Sequence, residues 1–461
     1  SLNNEAPAEM FSGIIIELQS LPGAEHVIYL DFDGEYVVFD DQTIDAKSWG
    51  WDNDKIAKIW EIVAQDYAPF KINVTTSRAV YDAAAKNKST MAIFTPTDTI
   101  APGTGGWAWL GSFTYTDAIS NCWVFNSDTA GAAANGSHEV GHVMGLKHDG
   151  KGSSVYYNGH SNWAPIMGFS GTKNRMGHWS KGEYANANNL EDDLAIIAKP
   201  ENGFGYKTDQ HGDGMNNATQ IISDAVGNVS ADKNKGLIST PTDKDMFSFT
   251  TTGGVVDLDV KTTSQYSNLN IKARLLNAQG QEVLNLNRSG EMSAKIDFPL
   301  FKGTYYLEID GAGEGANPSV GYSDYSSLGY FTISGKYAKG DNINDTQAPL
   351  PPKGLRAFNI SQTTMYLTWD AAQDNIGVIG YQLYQVTPSG DKLLTRTTSL
   401  SYYLSDLTPN TTYRYKIKAM DTQNVSEFSD VLSVKTLSED SLDGYCDSRG
   451  ERNSDFSFIS R

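Results

Sequence analysis

The sequence of 461 residues lacks several features that stabilise or anchor other proteins. It has only two cysteines, Cys122 and Cys446, which excludes a disulfide framework. No apolar run reaches the roughly 18 residues of a membrane-spanning helix, so we expect no membrane span. Basic residues are also few, because 36 Lys and Arg stand against 55 Asp and Glu and give a net charge of -19. We therefore expect no nucleic-acid partner, since phosphate binding needs clustered Lys and Arg.

No signal peptide is present, and the chain begins with Ser1 rather than Met. We expect that a secretory leader and a propeptide preceded this residue and were removed. The small number of cysteines does not argue against secretion, because a large core needs no disulfides. The sequence therefore predicts a secreted, extracellular protein, and we expect it to be a monomer.

The length predicts two to four domains at roughly 100–200 residues per domain. In residues 1–205, strand-like runs alternate with helical spacing, which predicts an α/β domain with a twisted mixed sheet and three main helices. The helices are expected at 54–67, along the stretch H-E-V-G-H (138–142) and at 189–197. Ser137 is a candidate start of the second helix, and an earlier start is the alternative.

Short alternating runs separated by turn residues follow this domain. They predict two all-β sandwich domains. The first occupies 206–340, and the second lies within 341–437 after a linker rich in Asp, Asn and Pro. Residues 438–461 are expected to be a tail or the truncated start of a further module.

Three of the seven histidines lie in the stretch S-H-E-V-G-H-V-M-G-L-K-H-D (137–149). On a helix, His138 and His142 lie one turn apart on the same face, which is the spacing that two ligands of one zinc ion need. Glu139 lies between them and is suited to act as a general base. Gly145 can end the helix in a left-handed turn, which lets His148 supply the third ligand. A helix with two surface histidines is the alternative, and the longer pattern makes it the weaker one.

The pattern H-E-x-x-H-x-x-G-x-x-H resembles the zinc signature of the metzincin metallopeptidases. In that clan a methionine turn lies beneath the zinc, and A-P-I-M-G (164–168) matches it with Met167. Asp149 resembles the supporting aspartate of the reprolysin-like branch. The astacin and serralysin branches have a tyrosine two residues after the methionine, where this chain has Phe169. The resemblance implies a secreted bacterial zinc peptidase with one catalytic zinc per chain.

Two segments are candidates for substrate binding. The segment 105–113 resembles the metzincin edge strand that pairs with substrate, and an unpaired strand edge is suited to bind an extended peptide. Its candidate residues are Gly106, Trp107, Ala108 and Trp109. Core packing is an equal alternative for the two tryptophans. Gly168, Phe169 and the residues up to Gly171 are expected to line the pocket for the side chain that follows the cut bond.

The sandwiches resemble accessory modules of secreted bacterial enzymes. The stretches 208–219, 243–249 and 322–335 resemble a pre-peptidase C-terminal β-sandwich, and some of these modules bind calcium. The candidate calcium ligands are Asp243, Asp245, Asp209 and Asp213, and solvated loop carboxylates are the alternative. The stretches L-T-W-D (367–370) and 407–421 resemble a fibronectin type III domain, with Trp369 in its core and Tyr413 as its corner tyrosine.

The sequence therefore predicts a zinc-dependent endopeptidase that acts on protein or peptide substrates. Two alternatives remain open. The protease is restricted to glycoproteins by its accessory domains, or the protein is an adhesin whose zinc site is only structural. The intact Glu139 argues against the adhesin, because a structural site needs no base. Tyr156 and Tyr157 are candidates for stabilising the oxyanion.

Overall fold

The computed structural model describes residues 14–39, 42–169, 176–287, 291–340 and 344–438. The expected tail or further module, including Cys446, lies outside the described residues except for Ser438. No helix within the described ranges is long and apolar enough to cross a membrane.

The first part of the chain (27–197) forms a helix–sheet unit. Its strands are β1 Val27–Asp31, β2 Glu35–Phe39, β3 Gln42–Ala46, β4 Asn73–Thr75, β5 Ser89–Phe94, β6 Gly106–Ala108, β7 Cys122–Val124, β8 Trp163–Pro165 and β9 Met176–His178. Its α-helices are α1 Asn53–Asp66, α2 Arg78–Ala83, α3 Thr129–Met144 and α4 Asp193–Ile197. Short 3-10 helices lie at Lys86–Lys88 and Ala118–Ser120.

A mixed five-stranded sheet with the order β4-β1-β5-β7-β6 is the centre of this unit. The first four strands are parallel, and β6 pairs antiparallel with β7 at the edge. Alternate residues of β1 face opposite sides: Ile28 and Leu30 join the core beneath α1 and α3, whereas Val27 and Tyr29 join the core beneath α2 and the β2–β3 hairpin. Both faces are covered, as expected of parallel strands.

The two long helices follow local sequence rules. Helix α1 begins after Asp52, whose side chain accepts the Lys55 N–H, and its apolar stripe of Ile56, Ile59 and Val63 is fully buried. Helix α3 begins after Asp128, which accepts the Gly131 N–H. Ser137 therefore lies inside α3, and the expectation that it starts the helix is wrong.

The third expected helix is mostly absent. Only Asp193–Ile197 is helical. Asp192 caps this short helix by accepting the Ala195 N–H, so the helix begins at Asp193. The preceding residues form a turn in which Asn189 Oδ1 accepts the Glu191 N–H. The helix–sheet unit thus has two long helices rather than the three that were expected.

The remainder of the described chain is almost entirely β-structure. The middle sandwich (219–336) has two sheets, with the orders β10-β13-β18-β15-β16 and β11-β19-β14-β17, and β12 also pairs with β19. Its strands are β10 Thr219–Gln220, β11 Asn228–Val229, β12 Lys235–Ile238, β13 Asp245–Thr251, β14 Gly254–Thr262, β15 Ile271–Asn277, β16 Glu282–Leu286, β17 Ala294–Leu300, β18 Gly303–Gly311 and β19 Gly329–Lys336. A 3-10 helix at Met215–Asn217 precedes them.

The C-terminal sandwich (356–435) packs a three-stranded sheet, β20-β21-β24, against a four-stranded sheet, β23-β22-β25-β26. Its strands are β20 Arg356–Phe358, β21 Met365–Thr368, β22 Gly380–Thr387, β23 Gly390–Thr397, β24 Ser401–Leu404, β25 Thr412–Met420 and β26 Leu432–Lys435. Trp369 is buried in the core, and the Tyr413 hydroxyl accepts the Thr408 N–H at 2.8 Å. The chain is thus a multidomain protein of mostly β-sandwich structure with few helices.

The helix–sheet unit and the middle sandwich share a continuous apolar core, and a buried carboxyl group joins them. Asp66, at the end of α1, accepts hydrogen bonds from Ser137 Oγ of α3 at 2.5 Å and from Asn268 Nδ2 of the sandwich at 2.9 Å. Trp179 Nε1 donates to the Asp66 carbonyl at 2.8 Å. Burial raises the pKa of Asp66 to about 7, which makes its ionised form dependent on these donors.

We expect Asn268→Ala to lower the free energy of unfolding by about 1–3 kcal/mol, because it leaves a buried oxygen of Asp66 without its donor. Asn285→Ala, on an exposed position of the same sandwich, is the control and should change little. Urea unfolding followed by tryptophan fluorescence measures both. Equal midpoints for the two variants would contradict this account of the interface.

Candidate metal centre

Three histidines converge beside the end of α3. One ring nitrogen of each of His138, His142 and His148 lies within 4.8 Å of the others. His142 Nε2 and His148 Nε2 are 2.9 Å apart, and the His138 ring centroid lies 4.7 Å from that of His142 and 5.3 Å from that of His148. The structure therefore brings the three expected zinc ligands to one point.

The turn at Gly145 makes this convergence possible. Helix α3 ends at Met144, and Gly145 adopts the left-handed conformation with φ of 112°. The Gly145 N–H donates to the His142 carbonyl at 2.9 Å, and the Leu146 N–H donates to the Gly141 carbonyl at 3.0 Å. This pair of bonds is a Schellman motif, which closes the helix end and reverses the chain. The reversal returns His148 to the face that carries His142.

Two of the imidazoles are oriented by backbone carbonyls. His138 Nδ1 lies 2.8 Å from the Ile166 carbonyl, and His142 Nδ1 lies 2.7 Å from the Leu146 carbonyl. A carbonyl only accepts, so Nδ1 carries the proton in each ring and the lone pair is on Nε2. Burial lowers the pKa of His138 to about 3 and that of His148 to about 4, and it also lowers the pKa of His142. Neutral imidazole is the form that binds a metal ion, so this donor set fits zinc.

The turn that contains Met167 packs directly against helix α3. Met167 is fully buried, and a Cβ added at Gly141 would lie 2.6 Å from its sulfur. The helix backbone thus approaches the thioether closely, one residue before His142. The preceding residue, Ile166, is the one whose carbonyl orients His138.

Asp149 is fully buried behind the third histidine. Its N–H donates to the Met167 carbonyl at 2.8 Å, and its carbonyl accepts the Tyr157 N–H at 2.8 Å. Asn189 Nδ2 donates to Oδ1 at 3.3 Å, whereas Oδ2 is buried without a hydrogen-bond partner. Burial, together with the charge of Glu191, raises the pKa of Asp149 to about 7. Its backbone ties the segment after His148 to the Met167 turn.

Glu139 lies against the edge strand. Its side chain is almost completely buried, and burial raises its pKa to about 8. A Cβ added at Gly106 of β6 would lie 2.4 Å from Glu139 Oε1. The carboxyl group therefore occupies space that only a glycine at this position leaves open. The sequence identified both residues as site candidates but did not indicate this contact, which joins the expected base to the expected substrate strand.

The other expected substrate residues of β6 and the segment after it differ in how far they are buried. Trp107 is half-buried, packs edge-on against Phe39 at 5.5 Å and lies against the core beneath the β2–β3 hairpin. Trp109 is 47% exposed. Ala108 pairs with Cys122, and within the described residues no strand pairs with the other side of β6, which is the edge of the sheet. Core packing thus accounts for Trp107 but not for Trp109.

Gly168 and Phe169 follow the methionine turn. The Gly168 N–H donates to the Pro165 carbonyl at 3.0 Å, and the Phe169 N–H donates to the Tyr157 carbonyl at 2.9 Å. The Phe169 side chain is half exposed. Residues 170 and 171, which the sequence also assigns to the pocket, lie outside the described residues.

The two tyrosines considered for the oxyanion lie in different surroundings. The Tyr156 ring centroid is 4.4 Å from that of His148, and the side chain is partly exposed. The Tyr157 hydroxyl bonds to His160 Nδ1 at 2.8 Å, and His160 Nε2 lies 2.6 Å from the Gly321 carbonyl of the middle sandwich. Tyr157 therefore belongs to the interface, and of the two only Tyr156 stays a candidate.

The candidate calcium ligands form a separate acidic group in the middle sandwich. One oxygen each of Asp209, Asp243 and Asp245 lies within 4.8 Å of the others, and Asp213 is outside this group. Asp245 is fully buried, and both of its carboxylate oxygens lack a hydrogen-bond partner. Burial raises its pKa to about 8. The grouping therefore supports three of the four expected residues.

Two buried acids near the metal centre were not predicted as site residues. Asp193 is fully buried and accepts the Ser180 N–H, and its pKa is raised by burial and by the charge of Asp149. Asp66 connects α1, α3 and the middle sandwich. Asp66 continues the buried stripe of Ile59 and Val63 at helical spacing. This position on the buried face of the helix could have predicted from the sequence that Asp66 is buried.

Comparisons with known proteins identify the C-terminal sandwich. Residues 350–435 match the model of the Fibronectin type III domain family, so the predicted domain of this type is confirmed. A solved structure described as the crystal structure of FN3tt is 28% identical and covers 20% of this chain and 98% of that one, with a TM-score of 0.18.

Curated relatives are similar over the same part of the chain. Chitinase Chi52 of Paenibacillus xylanexedens is 38% identical over 101 residues, which are 22% of this chain and 18% of that protein. Chitinase A1 of Niallia circulans is 38% identical over 96 residues, or 21% and 13%. Exoglucanase B of Cellulomonas fimi is 40% identical over 101 residues, or 21% and 9%. The chain thus spans less than a fifth of each relative's length, and the shared part is the fibronectin type III region.

We expect Gly145→Ala to weaken zinc binding and to cost about 1–2 kcal/mol of stability, because the left-handed turn strains an L-residue. Gly152→Ala is the matched control, since Gly152 also has a positive φ, of 60°, but has open space where a Cβ would lie. Competition with a chromophoric chelator measures zinc affinity, and thermal unfolding measures stability. If zinc affinity fell equally in both variants, the turn would have no specific role in placing His148.

Proposed function

We propose that the helix–sheet unit is a zinc-dependent endopeptidase of the metzincin type that cleaves extracellular proteins or peptides. The observation that carries this proposal is the convergence of three neutral imidazoles beside Glu139, whose carboxyl group lies against the free edge strand. The base, the metal ligands and a strand edge suited to hold an extended peptide are thus adjacent.

The chemistry follows from these positions. His138, His142 and His148 would hold the ion, which when bound supplies a Lewis acid that polarises a carbonyl and lowers the pKa of water. Glu139 takes the proton of the attacking water and returns it to the leaving amine. The backbone of Gly106–Ala108 pairs with the substrate by β-augmentation and aligns the bond to be cut.

The surrounding residues have supporting roles in this proposal. Met167 forms the floor of the site, and Asp149 holds the segment after His148 through its backbone bonds. The exposed Trp109 and Phe169 side chains contact the substrate. Tyr156, beside His148, stabilises the developing oxyanion. Asp209, Asp243 and Asp245 bind a structural calcium ion, because oxygen ligands of this kind suit it.

A restriction to glycoproteins is the second candidate. It is favoured by the fibronectin type III region, which this chain shares with proteins named chitinase and exoglucanase. In this form of the proposal the catalytic site is unchanged, and the accessory domains select glycosylated targets outside the cell. Cleavage of matched glycosylated and bare substrates distinguishes the two.

We expect Glu139→Gln to keep one zinc per chain and to lose casein hydrolysis by about 10²–10⁴-fold, because the general base is removed while the ligands stay in place. Zinc content by mass spectrometry and a fluorescent casein assay measure the two properties. Glu201→Gln, at an exposed position, is the control. Casein cleavage at the parent rate by Glu139→Gln would overturn the proposed mechanism.

We expect Gly106→Ala to reduce kcat for casein peptides by roughly 10²-fold while zinc is retained, because the added carbon would displace the Glu139 carboxyl group. Gly303→Ala in the middle sandwich is the control, because its nearest neighbour would lie at an ordinary 3.6 Å. Unchanged kcat in Gly106→Ala would show that Glu139 is not confined by the edge strand.

A further inference from the structure

A third acidic group lies where the C-terminal sandwich meets the chain that leads into it. One carboxylate oxygen each of Asp345, Asp374 and Asp421 lies within 4.8 Å of the others. The three residues come from separate segments: the linker before β20, the loop between β21 and β22, and the loop after β25. They are 29 and 47 residues apart, so only the fold brings them together.

Two of the three residues are buried, Asp374 is partly exposed, and part of the group's hydrogen-bonding capacity is unused. Asp421 is fully buried, and Asp345 is 8% exposed. Asp345 Oδ2 and Asp374 Oδ1 are inaccessible to solvent and have no hydrogen-bond partner. A buried carboxylate oxygen without a partner is costly, which indicates that a group outside the protein chain satisfies it.

The remaining oxygens hold the three carboxylates in fixed orientations. Asp345 Oδ1 accepts from the Gln347 N–H and from Asn375 Nδ2, both at 3.1 Å. Asp374 Oδ2 accepts the N–H groups of Ile376 and Gly377, both at 2.9 Å. Asp421 Oδ1 accepts those of Gln423 and Asn424, both at 2.6 Å. Asp374 and Asp421 thus bind their own loops, and Asp345 binds both the linker and the loop of Asp374. Asp421 Oδ2 also accepts from Asn424 Nδ2, at 3.2 Å.

The negative charge of the group is not balanced by nearby basic side chains. Within the ranges that the structure describes, no Lys or Arg forms an ion pair with Asp345, Asp374 or Asp421. Three carboxylates at this separation repel one another in a buried site. A bound cation would remove this repulsion and would also occupy the space beside the unpartnered oxygens.

We propose that Asp345, Asp374 and Asp421 bind a calcium ion that fixes the linker to the C-terminal sandwich. Calcium fits because every donor is a carboxylate oxygen from a loop, whereas zinc prefers nitrogen and sulfur ligands. The site differs from the group of Asp209, Asp243 and Asp245, which lies within the middle sandwich.

The ion also stabilises the joint between the two sandwiches. Thr422, next to Asp421, accepts the Lys302 N–H of the middle sandwich through its carbonyl at 2.8 Å. Asn424 Nδ2, in the same loop, donates to the Asp345 carbonyl at 3.2 Å. One loop therefore contacts the ion, the linker and the neighbouring domain. By ordering this loop, calcium fixes the position of the C-terminal sandwich relative to the middle sandwich.

Calcium titration of the full chain tests the proposal. The parent protein for this test carries two substitutions: Glu139→Gln, which avoids self-cleavage, and Asp245→Asn, which weakens the other acidic group. After EGTA treatment, calcium chloride is titrated into this protein calorimetrically. We expect one ion per chain with Kd of about 10⁻⁴–10⁻³ M, the range of extracellular modules. Asp374→Asn, at a partly exposed position, should weaken this binding about tenfold or more by removing one ligand charge. Asp430→Asn, exposed on the same domain, is the control and should bind as the parent does.

Limited proteolysis gives a second readout, in which the parent protein is compared with and without calcium. We expect calcium to slow cleavage within residues 344–352 of the same parent protein and to have no effect in Asp374→Asn. Absence of calcium binding in the parent, or equal affinity in the parent and Asp374→Asn, would overturn the proposal. Equal cleavage of the parent linker with calcium and with EGTA would overturn the role at the joint.

Discussion

The reversal of the chain at Gly145 is the constraint on which the three-histidine cluster of the candidate metal centre depends. A helix alone can place two imidazoles one turn apart, but a third residue on the same face would lie a further turn, about 5.4 Å, along the axis. The left-handed glycine, with φ of 112°, ends the helix and sends the next residues back across its last turn. The two Schellman hydrogen bonds fix the direction of that return. A side chain at this position would work against the one backbone conformation that brings His148 beside His142.

The centre is held mainly by backbone groups. Carbonyls of Ile166 and Leu146 set the tautomers of two histidines, and the Met167 carbonyl anchors Asp149. Glycines allow the close approaches, with Gly141 against the Met167 sulfur and Gly106 against the Glu139 carboxyl group. These backbone bonds and close contacts fix the positions of the candidate ligands without requiring an ion.

The parts of the fold with a local signal could be predicted from the sequence. Helix α1 was predicted within one residue because its cap and apolar stripe lie in one continuous segment. The helix expected at 189–197 failed because Asn189 and Asp192 use their side chains in a turn and a cap, which apolar spacing does not reveal. The fibronectin type III domain was recognised from its core tryptophan and corner tyrosine and is confirmed.

In the candidate site, too, the residues that lie within one short segment could be predicted from the sequence. The histidines, the base and the glycine are close in sequence, and the structure brings them together. Contacts between distant segments were not predictable, such as that of Gly106 with Glu139 or the grouping of Asp345 with Asp421, because no sequence period connects them.

The shared core and the buried Asp66 join the helix–sheet unit to the middle sandwich, and the C-terminal sandwich has a separate core. The C-terminal sandwich is the region that this chain shares with chitinases and an exoglucanase, whereas the middle sandwich shares its core with the helix–sheet unit, and these two should melt as one cooperative body.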